Sequence, residues 1–109
     1  MSKPTDGPWF YGQDGFNLGN GVVYARHANG NPKDICHVHG WGADHQANTR
    51  LIAATPDLFA DLQLAAETLR HYEALHRAKG TEESTAKAEV NAELASRFES
   101  TIAKARGEA

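Results

Sequence analysis

The sequence contains one cysteine, Cys36, so no disulfide can form within the chain. A chain without disulfides suits a reducing compartment. No apolar run approaches the roughly 18 residues that a membrane span requires, and residues 1–7 lack both the basic and the apolar segments of a secretory signal. These absences predict a protein of the cytoplasm that does not bind membranes.

The sequence also has little excess of charge of either sign. The formal net charge is −3, residues 1–55 carry equal numbers of basic and acidic side chains, and the later half carries all of the acidic excess. So small a surplus argues against electrostatic capture of nucleic acid, and equally against the dense carboxylate surface of a DNA mimic. DNA is therefore not an expected partner.

The overall composition is that of a folded protein. Of the 109 residues, 40% are hydrophobic and 23% are charged, which is close to the average for globular proteins. A chain of this length fits one domain, residues 1–109, and buries only about 60 to 70% of its unfolded surface. Because the core is modest, self-association would stabilise the protein.

The first part of the chain, residues 1–42, has the pattern of a β-meander. Glycine and asparagine separate short apolar runs at 9–11, 21–27 and 35–39, which predict three strands, and Asn29-Gly30 is a hairpin signal between the last two. Strict alternation in the third strand would place Ile35, His37 and His39 on one face, opposite Cys36 and Val38. One face would then pack while the other stays accessible.

The second part, residues 44–107, is helical in composition. Asp44 can cap a short first helix, Thr55 and Pro56 are typical of a helix start, and Gly80 followed by Thr81 predicts a stop and a new cap. The two long helices would be antiparallel neighbours. Their expected apolar stripes comprise Leu58, Leu62, Ala65, Leu69, Tyr72 and His76, then Val90, Leu94, Phe98, Ile102 and Ala105. The fold class predicted is α+β, a small antiparallel sheet followed by a short helix and a long helical hairpin.

Residues 36–45 form the densest polar cluster of the sequence. A metal site is one interpretation, because His37 and His39 would share a strand face and Cys36 or His45 could add a ligand. The sequence has no paired CxxC, HExxH or second His/Cys cluster, so a polar sheet face or a polar ligand is favoured instead. Cys36 is flanked by apolar residues and is typical of a small buried hydrophobe. The prediction is a binding protein with no catalytic residue, metal or cofactor.

A second group of residues suits a phosphorylated or nucleotide-like ligand at the junction of the sheet and the first helix. Aromatic rings would stack on a base, arginine forks match phosphate, and amide and imidazole groups supply hydrogen bonds. Each residue taken alone also has a structural interpretation, as core or as a solvated side chain. The predicted ligand-binding residues are Trp9, Arg26, His39, Trp41, Asn48, Arg50 and Arg106.

Residues 47–62, which read ANTRLIAATPDLFADL, resemble an N-A-x-L-I-A-A-A-P-D-L-L motif of small phage and prophage accessory proteins. The chain departs from this motif at Thr55 and Phe59, where Ala and Leu are usual. The resemblance implies a counter-defence protein, similar in architecture to the Thoeris anti-defence family, which sequesters cyclic ADP-ribose-type signals or cyclic oligonucleotides without cleaving them. An anti-CRISPR or other inhibitor that binds a host defence protein is the alternative.

Oligomerisation is the remaining expectation from the sequence. The two long helices carry more apolar surface than one small sheet can cover, in particular at Leu62, Leu69, Tyr72, Leu94, Phe98 and Ile102. The sequence therefore predicts a homo-oligomer that associates through the helical hairpin.

Overall fold

The structure is a computed structural model that describes residues 3–12, 21–40 and 42–108. A three-stranded antiparallel sheet is followed by three helices, so the α+β prediction is confirmed. The elements are β1 (Phe10–Tyr11), β2 (Val22–Arg26), β3 (Pro32–His37), α1 (Gly42–Ala53), α2 (Thr55–Lys79) and α3 (Glu82–Ala105). The chain forms two compact units, Met1–Leu58 and Phe59–Ala109. Folding as a single domain stays a prediction.

The first unit has its core on the central strand. The sheet order is β1-β2-β3, and helix α1 packs against β1 and β2. Four consecutive β2 residues, Val22 to Ala25, are buried, although neighbouring residues of a strand point to opposite faces. Strand β2 is therefore covered on both sides. On one side the ring of Tyr24 lies 5.6 Å from that of Phe10, its partner in the register with β1.

The β2–β3 turn forms where the Asn-Gly signal predicted it. Gly30 has a φ of +88°, which a residue with a side chain rarely adopts, and its N–H donates to the carbonyl of His27 at 2.8 Å. The side chain of Asn29 accepts a hydrogen bond from the N–H of Asn31 at 3.0 Å. These contacts confirm the hairpin.

Strand β3 differs from its predicted range of 35–39. Pairing with β2 begins at Pro32 and ends at His37. Val23 pairs with Cys36 whereas Tyr24 pairs with Asp34, so the ladder skips Ile35, as in a β-bulge. Because a bulge interrupts the two-residue alternation, Ile35 and His37 do not keep the expected pattern. His39 lies beyond the end of the strand.

Helix α2 begins one residue earlier than predicted, and Thr55 does not cap it. The Thr55 hydroxyl donates to the carbonyl of Leu51 in the last turn of α1, at 3.2 Å. Pro56 has no N–H to donate to the preceding turn, which accounts for the break between the two helices at Ala54. The chain therefore passes from α1 to α2 with a single non-helical residue.

The second unit is the hairpin of α2 and α3. Gly80 has a φ of +71°, and the Thr81 side chain accepts a hydrogen bond from the N–H of Ser84 at 3.0 Å, so the predicted stop and cap are confirmed. The buried residues of the two helices are mostly small, and they are Ala66, Ser84, Ala88, Ala95 and Ile102. Small side chains allow close helix packing. No helix among the described residues is long and apolar enough to cross a membrane.

The cap at Thr81 provides a stability prediction. Replacing Thr81 by alanine leaves the N–H of Ser84 without its side-chain acceptor, so the free energy of unfolding should fall by about 1 kcal/mol. Thermal unfolding followed by circular dichroism measures the change. Thr101→Ala, inside α3, is the matched control and should be close to neutral, because its hydroxyl only donates to a helix carbonyl. Equal losses for the two variants would contradict the capping role.

One side of the hairpin carries an ionic network. Arg70 on α2 reaches Glu99 on α3 through two hydrogen bonds, at 2.6 and 3.1 Å, and contacts Ser96 at 3.1 Å. Arg70 and Arg77 also bind the two oxygens of Glu73, each at 2.9 Å. These hydrogen bonds from arginine hold the pKa of Glu73 and Glu99 below the usual glutamate range. The network joins the two helices on this side.

The lowered pKa of Glu99 predicts a pH-dependent contribution to stability. A carboxyl group whose pKa is lower in the folded state stabilises the fold above its unfolded pKa, and this contribution is lost as the pH falls through the folded pKa. The melting temperature of Glu99→Gln should therefore lie below that of the wild type at pH 7, and the gap should close at acid pH below the usual value of 4.5. Glu89→Gln on the same helix is the control. A gap that persists at low pH would contradict the ionic origin.

Candidate functional site

A cavity of about 400 Å³ opens at one end of the first unit. It lies where β2 begins, β3 has ended and α1 starts, which is the junction that the sequence predicted for a ligand. Short side chains and main chain form much of its wall. The residues that line it are Gly21, Val38, His39, Gly40, Gly42, His45 and Gln46.

His45 is the best-fixed side chain of this cavity. Its Nε2 lies 2.8 Å from the carbonyl oxygen of Val38, and since a carbonyl only accepts, Nε2 must carry the hydrogen. The carbonyl of His45 accepts a hydrogen bond from the hydroxyl of buried Thr49 at 2.8 Å. The imidazole therefore ties α1 to the end of the sheet, and its orientation is set before any ligand binds.

Gly21 makes room for this imidazole. A Cβ atom at residue 21 would lie 2.5 Å from the carbonyl oxygen of Val38 and 2.9 Å from His45 Nε2, closer than real contacts allow. The main chain of Gly21 also accepts a hydrogen bond from the N–H of Val38 at 2.7 Å, which extends the ladder beyond β3. Glycine is thus required here by close approach rather than by its backbone angles.

The entrance to α1 gives the cavity its electrostatic character. Gly40 and Gly42 have φ values of +123° and +82°, so the chain turns here through conformations that favour glycine. The first N–H groups of a helix have no partner within it and favour negative charge. None of the described lining residues is acidic, although Asp44 lies in the first turn of α1. His39 and Gln46 add groups that can donate hydrogen bonds to an anion.

The predicted ligand residues of the sheet half do not all meet at this cavity. His39 lines it. Trp41 lies outside the described residues, between two glycines of the lining. Trp9 is half-buried and donates from Nε1 to the carbonyl of Thr5 at 3.1 Å. Arg26 lies at the other end of β2, about 13 Å along the strand from Val22. There its guanidinium stands 5.0 Å from the centre of the Phe10 ring.

The remaining predicted residues belong to helices. Asn48 and Arg50 are exposed on α1, and two residues of a helix separate side chains by about 200°, so they lie on opposite flanks of α1. Arg106 caps the end of α3 in the second unit, with its guanidinium 5.8 Å from the centre of the Phe59 ring. Asn48 and Arg50 are not brought together by the described structure, and the role of all three residues in binding stays a prediction.

Sequence reasoning missed two wall residues of the cavity, Gly21 and Gln46, and assigned His45 only as an optional metal ligand. Gly21 was placed at the start of the second predicted strand, and its close approach to a histidine of α1 is a tertiary contact that the sequence does not show. The spacing of Gly42, His45, Gln46 and Thr49 is a signal that could have found part of the wall, since these residues share one face of a helix.

The polar cluster at 36–45 is spread out in the structure. His37 Nε2 lies 3.2 Å from Asp34 Oδ2 on the same strand, whereas His45 is bonded to the main chain. Cys36 is half-buried in β3. Among residues 3–12, 21–40 and 42–108, no three His, Cys, Asp or Glu side chains come together as metal ligands.

Comparison with known proteins places the chain. A sequence-family model described as Salmonella phage P22 protein Y8K6 matches residues 1–109. No curated protein and no solved structure matches the chain significantly.

Proposed function

The chain belongs to the family of Salmonella phage P22 protein Y8K6, and we propose that this phage protein binds a small, negatively charged, nucleotide-derived signal of its host and sequesters it without cleavage. It would act in the cytoplasm of the infected cell, as a counter-defence protein. The observation that carries the proposal is the cavity at the junction of the sheet and α1, which joins a helix start to glycine main chain, two imidazoles and an amide.

The size and wall of the cavity suit such a ligand. Pockets for small molecules typically span about 300 to 1,000 Å³, and this one measures about 400 Å³. Phosphate oxygens find hydrogen-bond donors in the N–H groups at a helix start. Gly40 and Gly42 let a ligand approach the main chain closely because they have no side chains. These features support a ligand that carries phosphate, and cyclic ADP-ribose-type signals and cyclic oligonucleotides are the ligands of this kind that we propose.

The residues that line the cavity favour binding of a ligand over its cleavage. His45 is fixed by the carbonyl of Val38 through Nε2, which removes that nitrogen from proton transfer to a ligand. No carboxylate in the described lining stands beside either imidazole to orient it as a general base. These features favour retention of the ligand over its hydrolysis.

Calorimetry against cyclic ADP-ribose isomers and cyclic di- and trinucleotides tests the proposal. At least one of them should bind, and denaturing the complex should return it intact. His39→Ala and Gln46→Ala should weaken binding about tenfold or more, the usual effect of losing one hydrogen bond to a charged group. Arg26→Ala is the matched control, because Arg26 lies at the other end of β2, and it should bind as the wild type does.

Two outcomes would count against the proposal. If none of these nucleotides gives heat of binding, the signal-binding function is wrong. If Arg26→Ala abolishes binding while His39→Ala and Gln46→Ala leave it unchanged, a nucleotide is bound, but at a site other than this cavity.

Inhibition of a host defence protein is the second candidate function. It is favoured by the apolar side chains that the hairpin exposes. Tyr72 and Leu75 are 49% exposed, Val90 is 66% exposed and Leu94 is 40% exposed. Such a concentration of exposed apolar groups marks many protein-binding surfaces. This function predicts a stable complex with a purified defence effector, which size-exclusion chromatography detects.

A further inference from the structure

Two regular stripes of exposed residues contain Tyr72, Leu75, Val90 and Leu94, whereas Leu58 and Leu64, also exposed on α2, lie outside them. Each stripe repeats at steps of four and three residues, the spacing that keeps side chains on one side of a helix. The α2 stripe contains Asp61, Ala65, Thr68, Tyr72, Leu75 and Lys79, and the α3 stripe contains Glu83, Lys87, Val90, Leu94, Arg97 and Thr101. All of these residues are exposed except Ala65, which is half-buried. We call the two stripes together the open face.

Both stripes lie on the same side of the hairpin. Arg70 binds Ser96 and Glu99 across the two helices, so these residues mark one side. Tyr72 is two residues from Arg70, and Leu94 is two residues from Ser96. Two residues correspond to a rotation of about 200° around a helix. Tyr72 and Leu94 are therefore both directed away from the ionic network, so the open face lies on the other side of the hairpin.

The order of residues along the open face is self-complementary at three heights. Tyr72 lies about 13 Å from the Gly80–Thr81 turn and Val90 about 14 Å, at a rise of 1.5 Å per residue. Thr68 and Leu94 are matched in the same way at about 19 and 20 Å, and Lys79 and Glu83 lie about 2 and 4 Å from the turn. At the other heights Leu75 is level with Lys87, Ala65 with Arg97 and Asp61 with Thr101. Long cationic side chains can cover an apolar neighbour with their aliphatic stems.

We propose that the open face binds a second copy of this chain, with a two-fold axis parallel to the helices. The axis places α2 of one copy over α3 of the other at equal height, so Tyr72 meets Val90, Thr68 meets Leu94 and Lys79 meets Glu83, each pair twice. The face is about 27 Å long and two helices, about 20 Å, wide. Two such faces bury about 1,000 Å², the lower size of a specific interface. The dimer is a four-helix arrangement in which all neighbouring helices are antiparallel.

This arrangement covers only part of the surface that the sequence assigned to oligomerisation. Ile102 is buried inside the hairpin, and Leu62, Leu69 and Phe98 are partly covered. Tyr72 and Leu94 are the two residues of that set that the hairpin leaves exposed. The proposed dimer does not depend on the nucleotide, so the two proposals fail separately.

Sedimentation equilibrium at about 5 to 200 μM tests the interface. The wild type should be a dimer at the higher concentrations, and Val90→Glu should be a monomer with unchanged helical content, because Val90 is 66% exposed. Leu51→Glu, on α1 of the first unit and 61% exposed, is the matched control and should still dimerise. A monomeric wild type would overturn the proposal and favour a different protein partner. A dimer broken by Leu51→Glu but not by Val90→Glu would overturn it too.

Charge exchange between two chains tests the register. Lys79→Glu and Glu83→Lys should each weaken the homodimer at least several-fold, since each places like charges opposite one another. An equimolar mixture of the two variants should restore dimers, because each chain then presents the charge that the other lacks. Restoration cannot arise within one chain, as each chain carries only one change. Failure of the mixture to dimerise better than either variant alone would overturn the proposed two-fold axis.

Discussion

Replacing Tyr24 by alanine is expected to lower the free energy of unfolding by about 3 to 5 kcal/mol, the usual cost of removing a buried aromatic side chain. Tyr24 is completely buried in the central strand, and its ring packs 5.6 Å from that of Phe10. Because the first unit has few large buried side chains, its neighbours cannot fill the cavity that the substitution leaves. Urea unfolding monitored by tryptophan fluorescence measures the loss.

Tyr11→Ala is the matched control for Tyr24→Ala. Tyr11 lies on the edge strand β1 and is 43% exposed, so its removal creates no enclosed cavity. Its cost should be about 1 kcal/mol or less, the range typical of surface substitutions. Similar losses for the two variants would mean that β2 is not the centre of the core.

The second large effect is expected at Gly21. Gly21→Ala should destabilise the protein by about 2 to 3 kcal/mol, a usual cost of forcing extra atoms into a packed site. The new Cβ would lie 2.5 Å from the carbonyl oxygen of Val38, so the chain after β3 must move. That movement would break the hydrogen bond between His45 and Val38 and distort the proposed binding cavity. Thermal unfolding and nucleotide calorimetry on the same variant should both show a loss.

Gly30→Ala separates crowding from backbone strain. Gly30 has a φ of +88°, and a methyl group on its Cα would meet no atom within 4 Å, so this substitution tests the backbone angle alone. Its cost should be about 1 to 2 kcal/mol, the penalty of a left-handed residue with a side chain. Nucleotide binding should be unchanged. If Gly30→Ala impairs binding as strongly as Gly21→Ala does, the cavity is not specifically shaped by Gly21.

The parts of the fold that were predictable from the sequence depend on neighbours along the chain. The Asn29-Gly30 turn and the Gly80-Thr81 stop and cap form as expected, because glycine at positive φ and a hydroxyl accepting from the third following N–H are local devices. Thr55 was the exception. Its hydroxyl was expected at the start of α2, but it donates instead to the carbonyl of Leu51 in the last turn of α1.

The helix stripes were harder to predict, because apolarity does not reveal which side of a helix meets its neighbour. Val90 and Leu94 were assigned to the apolar stripe of α3, yet Ala88 and Ala95 are buried whereas Val90 and Leu94 are exposed. Small residues allow helices to pack closely, and Arg70 binds Glu99 across the two helices. The face of each helix that packs therefore depends on the small size of the buried side chains and on an ion pair between residues far apart in sequence.

The candidate site, like the fold, was only partly predictable from the sequence. The sequence indicated the junction of sheet and first helix, where glycines and histidines concentrate between the strand pattern and the helical composition, and a cavity lies there. It did not indicate which residues meet there. Arg26 was assigned to the site, but β2 carries it to the turn at the opposite end from Gly21.

What the amino-acid sequence determined by itself is the fold class, the order of the elements, the β2–β3 turn and the ends of the long helices, since each rests on propensities and hydrogen bonds between residues close in the chain. Only the tertiary structure decided the bulge at Ile35, the contact of Gly21 with His45 and the side of the hairpin on which Arg70 joins Glu99. These features arise from contacts between residues far apart in the chain, and local sequence patterns do not predict such contacts.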